Sequence, residues 1–224
     1  MKFYFHTTPN PFKVALMLEE LGVEYETVPV DTRKGEQHSD AFRAINPNAK
    51  TPALEDDDGT VVFDSNAIVL YLAQTRGEFL PDGPGAMGEA LSWYFWIATG
   101  LSPYSGQHVH FSRVHTDSAY ATNRYRKEVA RHYKVLDDRL SGRDWIGAAD
   151  YGICDIAAWG WVRMAPFVLE ADGGLDPYPN VAAWFARVDA RPAAERARAL
   201  ATKFDFKKDM DETAMRAMFP QNFD

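Results

Sequence analysis

Between Gly77 and Gly88 the sequence concentrates Gly77, Pro81, Gly83, Pro84, Gly85 and Gly88, and the pattern of the chain differs on the two sides of that run. Before it, strand and helix signals alternate. After it, only helical spacing recurs. Glycine and proline at this density punctuate a chain, so residues 77–88 read as a linker between a mixed α/β domain at 1–76 and an all-helical domain at 89–203, with a tail from 204 to 224.

The first domain opens on Phe3, Tyr4 and Phe5, aromatic residues that suit a buried strand. Val14, Met17, Leu18 and Leu21 then fall at i, i+3, i+4 and i+7, one face of a helix. In between, Thr8 is driven to an extended conformation by the proline after it, and Asn10 with Pro11 reads as an N-cap followed by the first helical residue. A hydroxyl, an amide and the positive end of a helix thus share one loop, a place to hold an anion or a thiolate. Residues 25–30 read as a second strand, 42–45 as a helical turn, and the segments around Ala53-Leu54 and Val61-Val62-Phe63, joined by Asp56-Asp57-Asp58-Gly59, as an antiparallel hairpin. Asp64 and Ser65 cap a further helix along Ile68 and Leu72. The order is βαβ then ββα, without the G-x-G-x-x-G of a dinucleotide fold.

Beyond the linker, helices are expected near 87–112, 117–140, 152–168, 180–190 and 193–203. Trp93, Trp96, Ile97 and Leu101 form the apolar stripe of the first, and Val129, His132, Tyr133 and Leu136 that of the second. The aromatic content of 13% suits a large helical core or an apolar pocket.

Composition narrows the function. A formal charge of −8 argues against nucleic acid as a partner. No apolar run approaches the roughly 20 residues that a membrane helix needs, so a soluble, cytoplasmic protein is expected. Cys154 is the single cysteine, so the chain has no dithiol of its own, and its apolar setting makes that thiol buried and inert. His108 and His110, at i, i+2, point apart on a helix, and no metal site is expected.

Three segments, in this order and spacing, resemble the cytosolic glutathione transferases: Asn46-Pro47-Asn48-Ala49-Lys50-Thr51-Pro52-Ala53-Leu54, Phe63-Asp64-Ser65-Asn66-Ala67-Ile68 and Gly152-Ile153-Cys154-Asp155-Ile156-Ala157. The opening Thr8-Pro9-Asn10, with Lys34-Gly35-Glu36-Gln37, Gly106-Gln107-His108-Val109-His110-Phe111 and Arg124-Tyr125 followed by Arg131, is similar to the bacterial nu class, related to the fungal nitrogen-regulatory prion protein. The resemblance implies a thioredoxin-like N-terminal domain, an all-α C-terminal domain, and glutathione-dependent disulfide reduction with some conjugation of electrophiles. The rival readings are a glutathione-dependent lyase or etherase acting on a bulky aromatic electrophile, and a non-enzymatic glutathione-binding regulator.

Residue by residue, the resemblance implies a cis peptide before Pro52 that turns the Thr51 backbone toward the cysteinyl unit of glutathione; the residues alone leave an ordinary edge proline equally open. Asp64 and Ser65 would hold the γ-glutamyl end, Lys50 a carboxylate and Gln37 the glycyl end. Thr8, with Asn10, is the candidate for stabilising the thiol, with Thr7 in competition. Phe12, His108, Phe111 and Trp161 are assigned to the substrate cleft. A homodimer is expected, in which Arg131 of one copy reaches the ligand of the other. Two departures from the family pattern stand out: Pro11 in place of a glycine, and Gly152 in place of the usual Ser or Thr cap.

Overall fold

The computed structural model describes residues 1–223. By its internal contacts the chain divides into two compact units, Met1–Leu72 together with the segment from Ala193 onward, and Ala73–Pro192. Residues 193–203, expected in the helical domain, therefore group with the first unit.

In the first unit, β1 (Lys2–Phe5), α1 (Pro9–Leu21), β2 (Glu26–Pro29), α2 (Asp40–Ile45), β3 (Ala53–Glu55), β4 (Val61–Phe63) and α3 (Ser65–Arg76) follow one another in the expected order. The four strands form one sheet in the order β2-β1-β3-β4. β1 and β2 run parallel, and the other two pairings are antiparallel. Side chains alternate across a strand, and here both faces are covered. Tyr4 and Ala53 pack with Val30 and Phe42 on one face. On the other, Phe5 meets Phe12 of α1 with ring centroids 5.3 Å apart.

The C-terminal segment returns to this unit. Arg196 of α10 (Pro192–Ala199) pairs with Glu19 of α1 at 2.6 Å, and Phe204 and Phe206 lie 6.4 and 6.3 Å from the Phe5 ring. The tail carries one more helix, α11 (Glu212–Met218). α1 buries every residue from Pro11 to Leu18 rather than a single stripe.

In the second unit, Pro84 opens α4 (Pro84–Trp96), so the linker run already contains a helix start; Pro at the first turn loses no helical hydrogen bond. The chain then stays helical to Val114. It passes a π-type turn (Ile97–Leu101), α5 (Ser102–Val109) and a second π-type turn (His110–Val114). The first π-type turn accommodates His132 of α6 (Ala119–Leu140): a Cβ on Gly100 would fall 2.5 Å from its Nε2. Trp96 and Tyr104 flank that ring at 5.3 and 5.0 Å. The expected stripe of Val129, His132, Tyr133 and Leu136 is buried. The helix expected over 152–168 divides into α7 (Ile153–Val162) and α8 (Ala165–Val168), because Pro166 has no N–H to continue the ladder. α9 (Pro179–Asp189) follows, its first N–H groups accepted by Asp137 of α6.

Gly152 caps α7 for a steric reason. Its N–H bonds Asp155, and a Cβ there would lie 2.7 Å from the carbonyl oxygen of Phe79, which itself accepts from Ile153 N at 3.1 Å. A Ser or Thr cap does not fit beneath that carbonyl. Asp155 is fully buried and accepts from Ile146 N at 3.0 Å, Gly152 N at 3.1 Å and Trp184 Nε1 at 2.7 Å. Burial pushes its carboxyl up to about 6, against those donors.

Asp155→Asn turns an NH2 toward one of three buried donors. We expect a loss of about 1–3 kcal/mol in chemical denaturation. Because the folded-state value lies above that of the unfolded chain, the native state holds the extra proton between about pH 4 and 6, so this residue's contribution to stability rises as pH falls through that window. The Asn variant should lose that component of the pH profile.

Candidate functional site

The register of the sheet assembles the candidate site. Tyr4 stands opposite Ala53, and Ala53 opposite Phe63. The chain leaving β1, the chain entering β3 and the chain leaving β4 therefore meet at one end of the sheet. These are the loops at Thr7-Thr8, Thr51-Pro52 and Asp64-Ser65.

At the first loop, Thr8 is the N-cap residue of α1, with extended backbone (φ −112°, ψ 160°), and Pro9 occupies the first turn. This corrects the expectation that Asn10 is the cap and Pro11 the first helical residue. Pro9 takes the first position, and Asn10 and Pro11 follow inside the first turn, where N–H groups lack helical partners in any case. The Thr8 side chain makes no capping hydrogen bond, so its half-buried hydroxyl is not taken up by the helix. Asn10 is half-buried beside it in sequence. Tyr4, mid-strand, is core, and its hydroxyl donates to Glu55 at 3.2 Å.

At the second loop the Thr51-Pro52 peptide is cis. Asn46, 2% exposed, organises the approach: its Oδ1 accepts from Asn48 N at 2.9 Å and its Nδ2 donates to Lys50 O at 2.6 Å. Thr51 is half-buried and precedes the ladder, which starts at Ala53, while the Lys50 side chain is exposed.

At the third loop Asp64 adopts φ +73° and caps α3, its Oδ1 accepting from Asn66 N at 2.9 Å and Ala67 N at 3.1 Å. Ser65 is 5% exposed at the helix N-terminus. Beneath it lies a residue to which the sequence reading gave no role. Lys13 of α1 is 1% exposed and donates to Asn66 Oδ1 at 3.0 Å. Its position among Phe12, Val14, Ala15 and Leu16 was the available signal, since a lysine inside an apolar run is costly unless paired.

Two other expected site residues have structural work. Gln37 is 3% exposed, and its amide donates to Thr32 O at 3.2 Å and Ala217 O at 2.9 Å, fastening the tail. Asp31 and Arg33 bind the same tail, through Lys207 N and the Lys207 and Lys208 carbonyls. Phe12, expected in the substrate cleft, is instead fully buried core against Phe5, because the strand and helix on either side of the loop close over it.

In the second unit, His108 and Trp161 are 7% and 8% exposed, and Trp161 lies over Gly106, whose Cβ would stand 3.5 Å from the indole. Phe111 is half-buried and stacks on Tyr125 at 5.4 Å with 13° between the rings. Arg131 is exposed on α6 and pairs with Glu128 at 2.9 Å. Cys154 donates its S–H to Ala90 O at 3.1 Å, and burial pushes its thiol well above the usual range.

Known proteins resemble this chain in sequence and fold. The glutathione S-transferase N-terminal domain profile matches residues 7–75, and the C-terminal domain profile residues 93–192. The disulfide-bond oxidoreductase YfcG of Escherichia coli is 39% identical over 213 residues, 92% of this chain and 98% of that protein.

The chain belongs to the glutathione transferase family.

Within it, the chain stands close to the nu-class disulfide-bond oxidoreductases and the Ure2p-like transferases. Among solved transferases, one from Burkholderia graminis with two glutathione molecules per subunit superposes with a TM-score of 0.84 at 34% identity, covering 91% of this chain and 89% of that one. Another, from Pseudomonas putida with one glutathione disulfide per subunit, gives 0.81 at 32% identity, covering 88% and 89%. Among the described residues, no helix is long and apolar enough to cross a membrane.

Asp64 combines a cap with a left-handed backbone. Asp64→Ala loses both the cap, about 1 kcal/mol, and the tolerance of positive φ, roughly another 1 kcal/mol. Asp64→Gly keeps the backbone and should lose less. Thermal denaturation of the two variants checks the order; equal losses would mean that the backbone at this position carries no cost.

Proposed function

We propose that this transferase binds glutathione at the sheet end formed by Thr8, Thr51-Pro52 and Asp64-Ser65, and uses it for thiol–disulfide exchange. The observation that carries the reading is the convergence of those three loops at a helix N-terminus in a chain whose one thiol is buried and protonated. The redox sulfur must then come with the ligand. In the proposed reaction a glutathione thiolate attacks a substrate disulfide, forming a mixed disulfide and expelling one thiolate. A second glutathione thiolate attacks the mixed disulfide, giving glutathione disulfide and the second thiol. YfcG, a disulfide-bond oxidoreductase by name, and the relatives that hold two glutathiones or glutathione disulfide, support this order of events.

The Thr8 hydroxyl, with Asn10, stabilises the thiolate in this reading, and the Thr51 backbone pairs with the cysteinyl unit. Ser65 and the α3 N-terminus take the γ-glutamyl carboxylate, Asp64 its ammonium, and Lys50 a further carboxylate. Gln37 reaches the glycyl end only by exchanging its present bonds to the tail. A second reading, conjugation of an aromatic electrophile, is favoured by the stacked Phe111 and Tyr125 in the second unit.

Turnover of bis(2-hydroxyethyl) disulfide against 1-chloro-2,4-dinitrobenzene separates the two. Thr8→Ala should lower kcat for the disulfide at least ~10-fold and raise the apparent pKa of the rate profile, with little change in glutathione affinity. Full activity in Thr8→Ala, together with loss of activity in Tyr4→Phe, would sink the assignment.

Glutathione disulfide carries four carboxylates, more than Lys50 and one serine loop neutralise. We further propose a two-fold homodimer in which Arg131 of each copy completes the other's site. Its pairing with Glu128 is exposed and worth little in stability. Arg131→Ala should weaken glutathione disulfide binding ~10-fold or more with little change in Tm. A monomer in sedimentation, or unchanged affinity, would remove this role.

A further inference from the structure

Lys13 is the buried cation of the first unit that the proposed reaction does not use. It lies on α1, one turn beyond the Thr8-Pro9-Asn10 loop, and its side chain reaches Asn66 in the first turn of α3. The Ser65 hydroxyl stands 3.5 Å from the same Asn66 Oδ1 to which the lysine donates at 3.0 Å. The two distances together hold the ammonium within about 6.5 Å of the serine hydroxyl. Lys13 therefore ties the loop that would serve a thiol to the loop that would serve a carboxylate, and it approaches the second from inside the protein.

We infer that Lys13 is a positioning residue for the α3 N-terminus and the buried counter-charge to a ligand α-carboxylate seated on Ser65, so that binding such a ligand takes up a proton on Lys13. The inference rests on reading the first unit as a glutathione site. An ammonium removed from water is held as a cation only by compensating charge. Burial pushes Lys13 down to about 7, while the carboxylate of Asp64 acts in the opposite direction. Asp64 is the charged group acting on it from α3. The strand before α1 contributes His6, which burial pushes down to about 4 and so keeps neutral at pH 7. The far end of α1 carries Glu19, engaged by Arg196 and Tyr25. At neutral pH the lysine is thus poised between its two forms. A carboxylate bonded to Ser65 adds an opposite charge near that ammonium and favours its charged form; a shift of about one unit is the expectation that the test reads.

The ligand for the test is S-methylglutathione, whose thioether has no thiol proton to release. Calorimetric titrations at pH 7.5 in two buffers of different ionisation enthalpy should show uptake of about half a proton or more per subunit, fading by pH 6, where Lys13 is already charged. Lys13→Met, which keeps the buried hydrocarbon and removes the charge, should bind at least ~10-fold more weakly and without proton uptake. An S-methylated analogue lacking the α-carboxylate should bind the wild-type protein without uptake; this arm decides the matter even where Lys13→Met does not fold. Binding of S-methylglutathione with no uptake, uptake that persists without the α-carboxylate, or uptake that persists in Lys13→Met overturns the inference and leaves the glutathione site standing. Failure of S-methylglutathione to bind at all removes the site, and this inference with it.

Discussion

Antiparallel pairing of β3 with β1, and of β4 with β3, decides where the chemistry of the first unit can be. A parallel β3 would send Thr51-Pro52 to the opposite end of the sheet from Thr8. As observed, Tyr4, Ala53 and Phe63 stand in one row, and the three loops adjoining them meet at one end. The register also has little freedom. Slipping β1 by one residue would exchange Tyr4, which packs with Phe42, for Phe3 and Phe5, which belong to the face with Phe12. Core packing and site geometry are thus set by the same alternation. A sheet of such short strands can present three loops together because the hydrophobic residues on both faces allow only one alignment.

The two units bury charge in comparable ways. Asp155 lies under the α7 N-terminus and Lys13 beside the α3 N-terminus, each bonded to groups at the start of a helix. The difference lies in sign. A carboxylate at a helix N-terminus satisfies orphan N–H groups and favours the dipole, so Asp155 is structural and complete. A lysine near the same end opposes the dipole, and it bonds a side-chain oxygen rather than backbone N–H groups. It takes up none of the N–H groups at the end of the helix, two of which Asp64 accepts. Asp64 partly offsets both charges, being the acceptor for two N–H groups and the acidic neighbour of Lys13.

Much of this was legible in the sequence. The βαβ-ββα order, the hairpin, the helix beginning after Asp64 and the stripe on α6 follow from periodicity and turn chemistry, which are local. What was hidden depends on long-range contact. Lys13 shows in the sequence only as a charge inside an apolar run, and its partner Asn66, 53 residues further on, is set by the tertiary fold. Gln37 reads as a ligand residue because nothing near it in sequence announces that Ala217 will accept from its amide. Asn10 gave way to Thr8 as the cap because two prolines offered two starts, and the hydrogen-bond count does not choose between them. Gly152 appeared as a weakened cap until the Phe79 carbonyl showed why no side chain fits.

The buried Cys154 puts a limit on how this protein can act on disulfides. With no thiol of its own in play, what it can offer is the ionisation state and orientation of a sulfur that arrives with the ligand. A free thiol near 8.5 is a few per cent thiolate at neutral pH. A helix N-terminus contributes about 0.3–1 kcal/mol toward the anion and a hydroxyl donor about 1.5–3 kcal/mol, and one pKa unit corresponds to about 1.4 kcal/mol. For a thiol held at the α1 N-terminus beside the Thr8 hydroxyl, as proposed, the two together amount to a downward shift of about one to three units, to ambient pH or below. Nucleophilicity falls along with pKa, so the best attacking thiol is one near ambient pH, and a shift at the small end of that range serves exchange better than a large one. A weak donor such as threonine on a loosely committed cap suits that requirement. A stronger cationic partner for the sulfur would overshoot it, and the one buried cation of α1 donates instead to Asn66.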